Sequence, residues 1–167
     1  LSRCDGIDSL DVDTDSLAAM AAAEDQVGFA MEVFAARSFG HATLDISDRH
    51  KTTSQRLISL SGAEDNRAKT YDVTQLLANP NTIVDSATGL YAPTDAVLEM
   101  NCARSEIAAV AASSTSSNAS TKSQTTSDDH SDDSREQSLG ILASMIADRV
   151  DLALDWGYPA FDEALFA

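Results

Sequence analysis

The sequence predicts a mainly α fold: a small bundle of about three long helices, with short extra helices and a candidate β-hairpin. Three observations carry this. Apolar residues recur at i, i+3, i+4, i+7 in three separate stretches. Alanine, the best helix former, supplies 27 of the 72 apolar residues. Capping and breaking residues fall at the edges of those stretches.

Residues 1–14 are Asp-rich and lack periodicity, so they read as an extended acidic lead-in. A helical domain then spans 15–156. Asp15 or Ser16 is the expected cap of the first helix, because a short oxygen side chain accepts from free first-turn amides. The helix runs to about Arg37, with Val27, Ala30, Met31 and Phe34 on one stripe and Phe29 and Val33 widening it. A stripe that wide is buried on more than one side, and Gly40 ends the region. His41–Ile46 alternates weakly, as in a short strand, and Arg56–Leu60 is a short apolar run of undecided type.

Tyr71–Ala78 places Val73, Leu76 and Leu77 at helical spacing, and Asn79-Pro80-Asn81 stops it. Two apolar triplets, Thr82–Val84 and Leu90–Ala92, flank Asp85–Gly89 as a hairpin would. Thr94 is the expected cap of a second long helix, about Asp95–Ala112, striped by Val97, Met100, Ala103, Ile107 and Val110. Residues 113–134 are dominated by Ser, Thr and Asp and read as a loop. A third helix, about Arg135–Trp156, carries Leu139, Leu142, Ile146, Val150 and Ala153 on one face, with Met145 and Leu152 beside it. Gly157 ends it, and residues 157–167 form an aromatic C-terminal arm.

The charge balance excludes whole classes of partner. The net charge is −16, from 27 acids against 11 bases. Such a chain repels phosphate backbones and anionic membranes, so no nucleic acid is expected. No run of 18 apolar residues exists, so no membrane span is expected either. Acids are 20 Asp and 7 Glu, and Lys is limited to Lys51, Lys69 and Lys122. Short carboxylates hold water and cations, while self-repulsion at low salt is screened by high salt. The surface therefore reads as salt-adapted, of the halophilic kind, against the plainer reading of an ordinary acidic protein. The first residue is Leu1, which fits proteolytic maturation or a fragment. Cys4 and Cys102 are candidates for one disulfide, which would imply an oxidising location; the other reading is two inert thiols. Extracellular space or a particle or cell surface is the expected location, with the cytoplasm left open.

No motif assigns a catalytic, cofactor-binding or metal-binding residue. His41, His50 and His130 lack the HExxH spacing, and no CxxC pair occurs. The cluster Asp128, Asp129, His130, Asp132, Asp133 could hold cations loosely, but reads as a solvated acidic loop. Asp11, Asp13 and Asp15 begin like a calcium loop, yet Ser16 and Ala22 stand where its glycine and closing glutamate belong. Cys102 has no evident partner, no serine sits in a G-x-S-x-G turn, and no glycine-rich phosphate loop occurs. Asn118-Ala-Ser120 fits a glycosylation triplet common in Ser-rich sequence.

The leading functional expectation is a non-enzymatic structural subunit of a filament, surface layer or virus particle, hence a homo-oligomer or larger assembly. Leu, Ile, Val and Phe total only 35 of 167 residues, so one copy has little apolar area to bury. The tail concentrates aromatic residues, and Trp156, Tyr158, Phe161, Leu165 and Phe166 are the expected contacts between copies. One alternative is an acidic adaptor binding one basic protein. Another is a small hydrolase using Asp/His groups, with His41 and His50 as its candidates.

Overall fold

A computed structural model describes residues 12–65, 67–120 and 129–159, with the backbone alone for 114–120 and 129–135. In chain order the elements are α1 (Thr14–Ala36), α2 (Leu44–Ser61), α3 (Thr74–Ala78), β1 (Thr82–Val84), β2 (Tyr91–Pro93), α4 (Thr94–Ser120) and α5 (Asp129–Asp155). The mainly α bundle with one hairpin is as the sequence predicts, but the long helices number four.

The additional long helix is α2. It replaces the strand expected at His41–Ile46 and absorbs the run at Arg56–Leu60. Thr43 caps it by accepting from the Ile46 amide at 3.2 Å, and Gly62 closes it in the left-handed region at φ 65°. Its buried face is Ser47, His50, Thr53, Ser54, Leu57, Ile58 and Ser61. That face has helical period but few apolar members, so an apolar stripe does not reveal it. Its hydroxyls bond α1 instead: Ser47 donates to the Gly28 carbonyl and Ser54 to the Ala21 carbonyl, each at 2.6 Å.

Small residues let α1 and α2 approach closely. A methyl added at Gly28 would lie 2.9 Å from Lys51 Cγ and 3.2 Å from both His50 Cβ and the Ser47 carbonyl oxygen. Alanine gains about 1 kcal/mol of helix propensity over glycine, whereas overpacking costs about 1–3 kcal/mol. Gly28→Ala is therefore expected to lower the free energy of unfolding by about 1 kcal/mol in a denaturant titration. A more stable variant would show that the two helices part without cost.

Helix α1 starts two residues earlier than the Asp15 or Ser16 cap predicts. Asp13 accepts from the Ser16 amide and the Ser16 hydroxyl, both at 2.9 Å. Both carboxylate oxygens of the expected calcium-like segment's middle Asp are thus engaged in capping. Asp11 lies outside the described residues. At the other end of the bundle the hairpin pairs Thr82 with Pro93, Ile83 with Ala92 and Val84 with Tyr91. Gly89, at φ 73°, turns the chain and donates to the Asp85 carbonyl at 2.7 Å.

The serine-rich stretch is helical at both ends: α4 continues to Ser120 and α5 begins at Asp129. Serine is disfavoured in a helix by only about half a kcal/mol, so a helix anchored by packing continues through it. One anchor is Ser113, whose hydroxyl accepts from the Asp13 amide at 3.2 Å.

Two apolar clusters sit at different heights in the bundle. The first joins Leu17, Met20 and Ala21 with Leu57, Ile58, Ala109, Leu142 and Met145. The second joins Val27, Ala30, Met31 and Phe34 with Leu98 and Cys102. Rising sequence number leads from the first to the second in α1 and in the opposite direction in α4, so these helices are antiparallel. A third cluster seats the hairpin's Ala92 on Ala96, Val97, Met100, Ala153 and Tyr158. The 32 residues between α2 and α4 form the one long crossover. Arg67 pins its start, bonding Ser54, Gln55 and Asp65.

Candidate functional site

Between the first two apolar clusters lies a layer of ionisable side chains. On α1 the layer is Glu24, between Ala21 and Val27. On α4 it is Glu99, Cys102 and Glu106, spaced to share one face. His50 of α2 and Arg149 of α5 complete it. Glu24, His50, Glu99 and Glu106 are each 0% exposed.

His50 is the hub. Its Nδ1 lies 2.5 Å from Glu24 Oε2 and its Nε2 lies 2.8 Å from Glu99 Oε1. A carboxylate cannot donate, so the ring donates on both sides and is the imidazolium. Burial alone would favour the neutral ring. The Glu99 and Glu24 carboxylates outweigh it and hold the pKa above its ordinary value. Arg149 grips Glu24 through two bonds of 3.1 Å, Nε to Oε1 and Nη2 to Oε2.

The carboxyl groups divide in character. Burial would raise the Glu24 pKa, but Glu106, Arg149 and His50 together hold it well below the ordinary range. Glu106 goes the other way, pushed well up by burial and then by the Glu24 carboxylate beside it. It is the protonated member, with Glu24 as acceptor. The Cys102 thiol is also pushed up, by burial and then by Glu24 and Glu106, and donates to Glu106 Oε1 at 3.8 Å. The Glu24 carboxylate therefore lies between two cations, His50 and Arg149, and Glu99 meets the other side of the His50 ring. Two further side-chain oxygens, Glu99 Oε2 and Glu106 Oε2, are buried without a hydrogen-bond partner.

The chain matches no known protein family, and comparison with curated proteins and with solved structures gives no match.

Of the residues singled out from the sequence, His50 and Cys102 meet in this layer and the others lie elsewhere. His41 lies on the surface, 5.4 Å from the Trp156 ring in a parallel stack, with Nδ1 2.9 Å from Asp95 Oδ2. That aspartate also accepts from the His41 amide at 2.7 Å, so the pair holds the start of α4 against the α1–α2 turn. Trp156 is thus packed on its own chain. Tyr158 turns inward: it is 3% exposed and donates to the buried Asp85 carboxylate, which Arg104 also binds. Tyr158 is therefore not available as a contact between copies. Phe161, Leu165 and Phe166, the rest of the expected contacts, lie outside the described residues. Cys102 is a free, buried thiol; Cys4, its expected disulfide partner, lies outside the described residues, as do the side chains of 128–133 and Asn118. No helix among the described residues is long and apolar enough to cross a membrane.

The sequence reading assigned no role to Glu24, Glu99, Glu106 or Arg149. A signal did exist. Glu24 occupies a core position in the series Leu17, Met20, Ala21, Glu24, Val27, Met31, and Glu99 and Glu106 flank Cys102 at helical spacing. An acid at a core position is costly and rarely left unpaired.

Proposed function

We propose that the chain is a non-enzymatic structural subunit of a filament, surface layer or particle, working through its salt-adapted exterior. The observation that supports this is the make-up of the interior. Of the twelve largest fully buried side chains among the described residues, six are Glu24, His50, Glu99, Glu106, Thr53 and Thr94. An isolated copy gains correspondingly little from apolar burial, and contact between copies supplies more. The groups that perform chemistry in other proteins face one another here and are closed to solvent. Nucleophilic catalysis draws no support, because the Cys102 thiol is held protonated. The outer face of the hairpin carries the directly paired Val84 and Tyr91, 42% and 75% exposed. We assign this pair as one contact between copies.

Light scattering and electron microscopy across salt concentrations test the reading. Oligomers that persist or grow as salt rises are expected, and Tyr91→Ser should weaken association about tenfold, as loss of an interface aromatic does. A monomer at every protein and salt concentration would remove the proposal. The second reading, an adaptor for a basic partner, rests on the net charge of −16. It predicts a one-to-one complex that weakens steeply with salt and no self-association.

A further inference from the structure

We propose that the buried layer is a binding site for one divalent transition-metal ion of the zinc type, held by Glu24, His50 and Cys102 with Glu106 as fourth ligand. One donor atom from each of the first three residues lies within 4.8 Å of the others. Donors around a tetrahedral zinc stand about 3.5 Å apart, so closure needs side-chain shifts of about 1 Å. Glu106 is already adjacent: its Oε1 receives the Cys102 thiol at 3.8 Å.

A second observation points the same way. Glu106 Oε2, on the proposed fourth ligand, is fully enclosed and has no hydrogen-bond partner. An unpartnered buried carboxyl oxygen is costly, and an ion held by Glu106 satisfies it. The surroundings also fit a metal-bound imidazole. With His50 Nδ1 on the ion, its Nε2–H still donates to Glu99 Oε1, the carboxylate–histidine arrangement that fixes ring orientation. Arg149 keeps Glu24 oriented through its other bonds.

The donor set selects the ion. One thiolate, one imidazole and two carboxylates suit zinc or cobalt, whereas magnesium and calcium demand oxygen alone. The site is closed, with no open coordination position facing solvent, so the ion is structural and not catalytic. This inference is independent of self-association, since every ligand comes from one chain.

The test is titration of the chelator-stripped full chain with zinc or cobalt, during refolding and after it. Excess magnesium and potassium chloride are kept present to occupy the acidic surface. The expected result is one ion per chain, a higher Tm with zinc, and a thiolate-to-cobalt charge-transfer absorption. Cys102→Ser, which keeps the buried shape, should lose that absorption and weaken binding at least tenfold. His130→Ala, outside the site, should leave both unchanged. Failure to bind one ion under magnesium excess, or binding that Cys102→Ser leaves intact, overturns the proposal. Sensitivity to His130→Ala would place the ion in the acidic segment and also overturn it.

Discussion

His50→Ala is expected to lower the free energy of unfolding of the metal-free protein by about 3–5 kcal/mol. This is the loss typical of deleting one partner of a buried ion pair. The ring lies between Glu24 and Glu99 and is shielded from water. Removing it leaves Glu99 with no hydrogen-bonded cation and Glu24 with Arg149 alone, in a region where neither carboxylate is hydrated. A cavity adds to the cost. Domains are stable by about 5–15 kcal/mol in total, so the variant stands near the limit of folding. In a chain of this length the loss corresponds to a Tm drop of roughly 6–20 °C. His50→Gln, which keeps a donor and most of the volume, should recover part of the loss and serves if the alanine variant does not fold. A loss under about 1 kcal/mol in both variants would mean that the two carboxylates are not charged in the native state.

The second large effect is on the pH dependence of stability, again in chelator-treated protein and at fixed high salt. Glu106 has its native pKa raised above the ordinary 4.5, so from about that pH upward the native state holds a proton that the unfolded chain has released. His50 behaves likewise above its ordinary 6.5. Where the native state binds more protons, stability falls as pH rises, by about 1.4 kcal/mol per pH unit per proton. Glu24 has the opposite sign: its native pKa is depressed, so its stabilisation is present above 4.5 and is lost on acidification. Maximum stability is therefore expected near pH 4.5, with a decline above it and a steeper one above 6.5. Glu106→Gln removes the first slope. Between pH 5 and 6.5 the wild type should lose about 1.4 kcal/mol per pH unit relative to this variant. Parallel profiles would show that Glu106 is ionised in the native protein.

These residues also show where the sequence was legible. Helix α1, most of α4 and the hairpin were readable because Val27, Ala30, Met31, Phe34, Val97, Met100 and Ala103 are both apolar and buried. Helix α2 was not, since Ser47, His50 and Ser54 make its buried face. The two serine hydroxyls satisfy α1 carbonyls, a pairing that only a facing helix creates. On α5 the apolar stripe misled by a fraction of a turn. Leu139 is 42% exposed, while Ser138, Leu142, Met145 and Ala153 are buried and Arg149 points into the bundle. The charge on Arg149 turns the helix toward Glu24. The polar layer was masked by abundance: among 27 acids in the chain, Glu24, Glu99 and Glu106 are marked only by their place at helical spacing among apolar residues.

The position of that layer constrains how the helices slide. A one-turn displacement of α1 along its neighbours, about 5.4 Å, would bring Glu24 opposite the methionine and leucine side chains on either side and strand both His50 and Arg149. Leucine and methionine tolerate many mutual arrangements, so alanine-rich helices alone would admit several staggers of similar energy. Charge pairing admits one. The groups that thin the greasy interior therefore act as a notch and key, trading depth of the energy minimum for a single alignment.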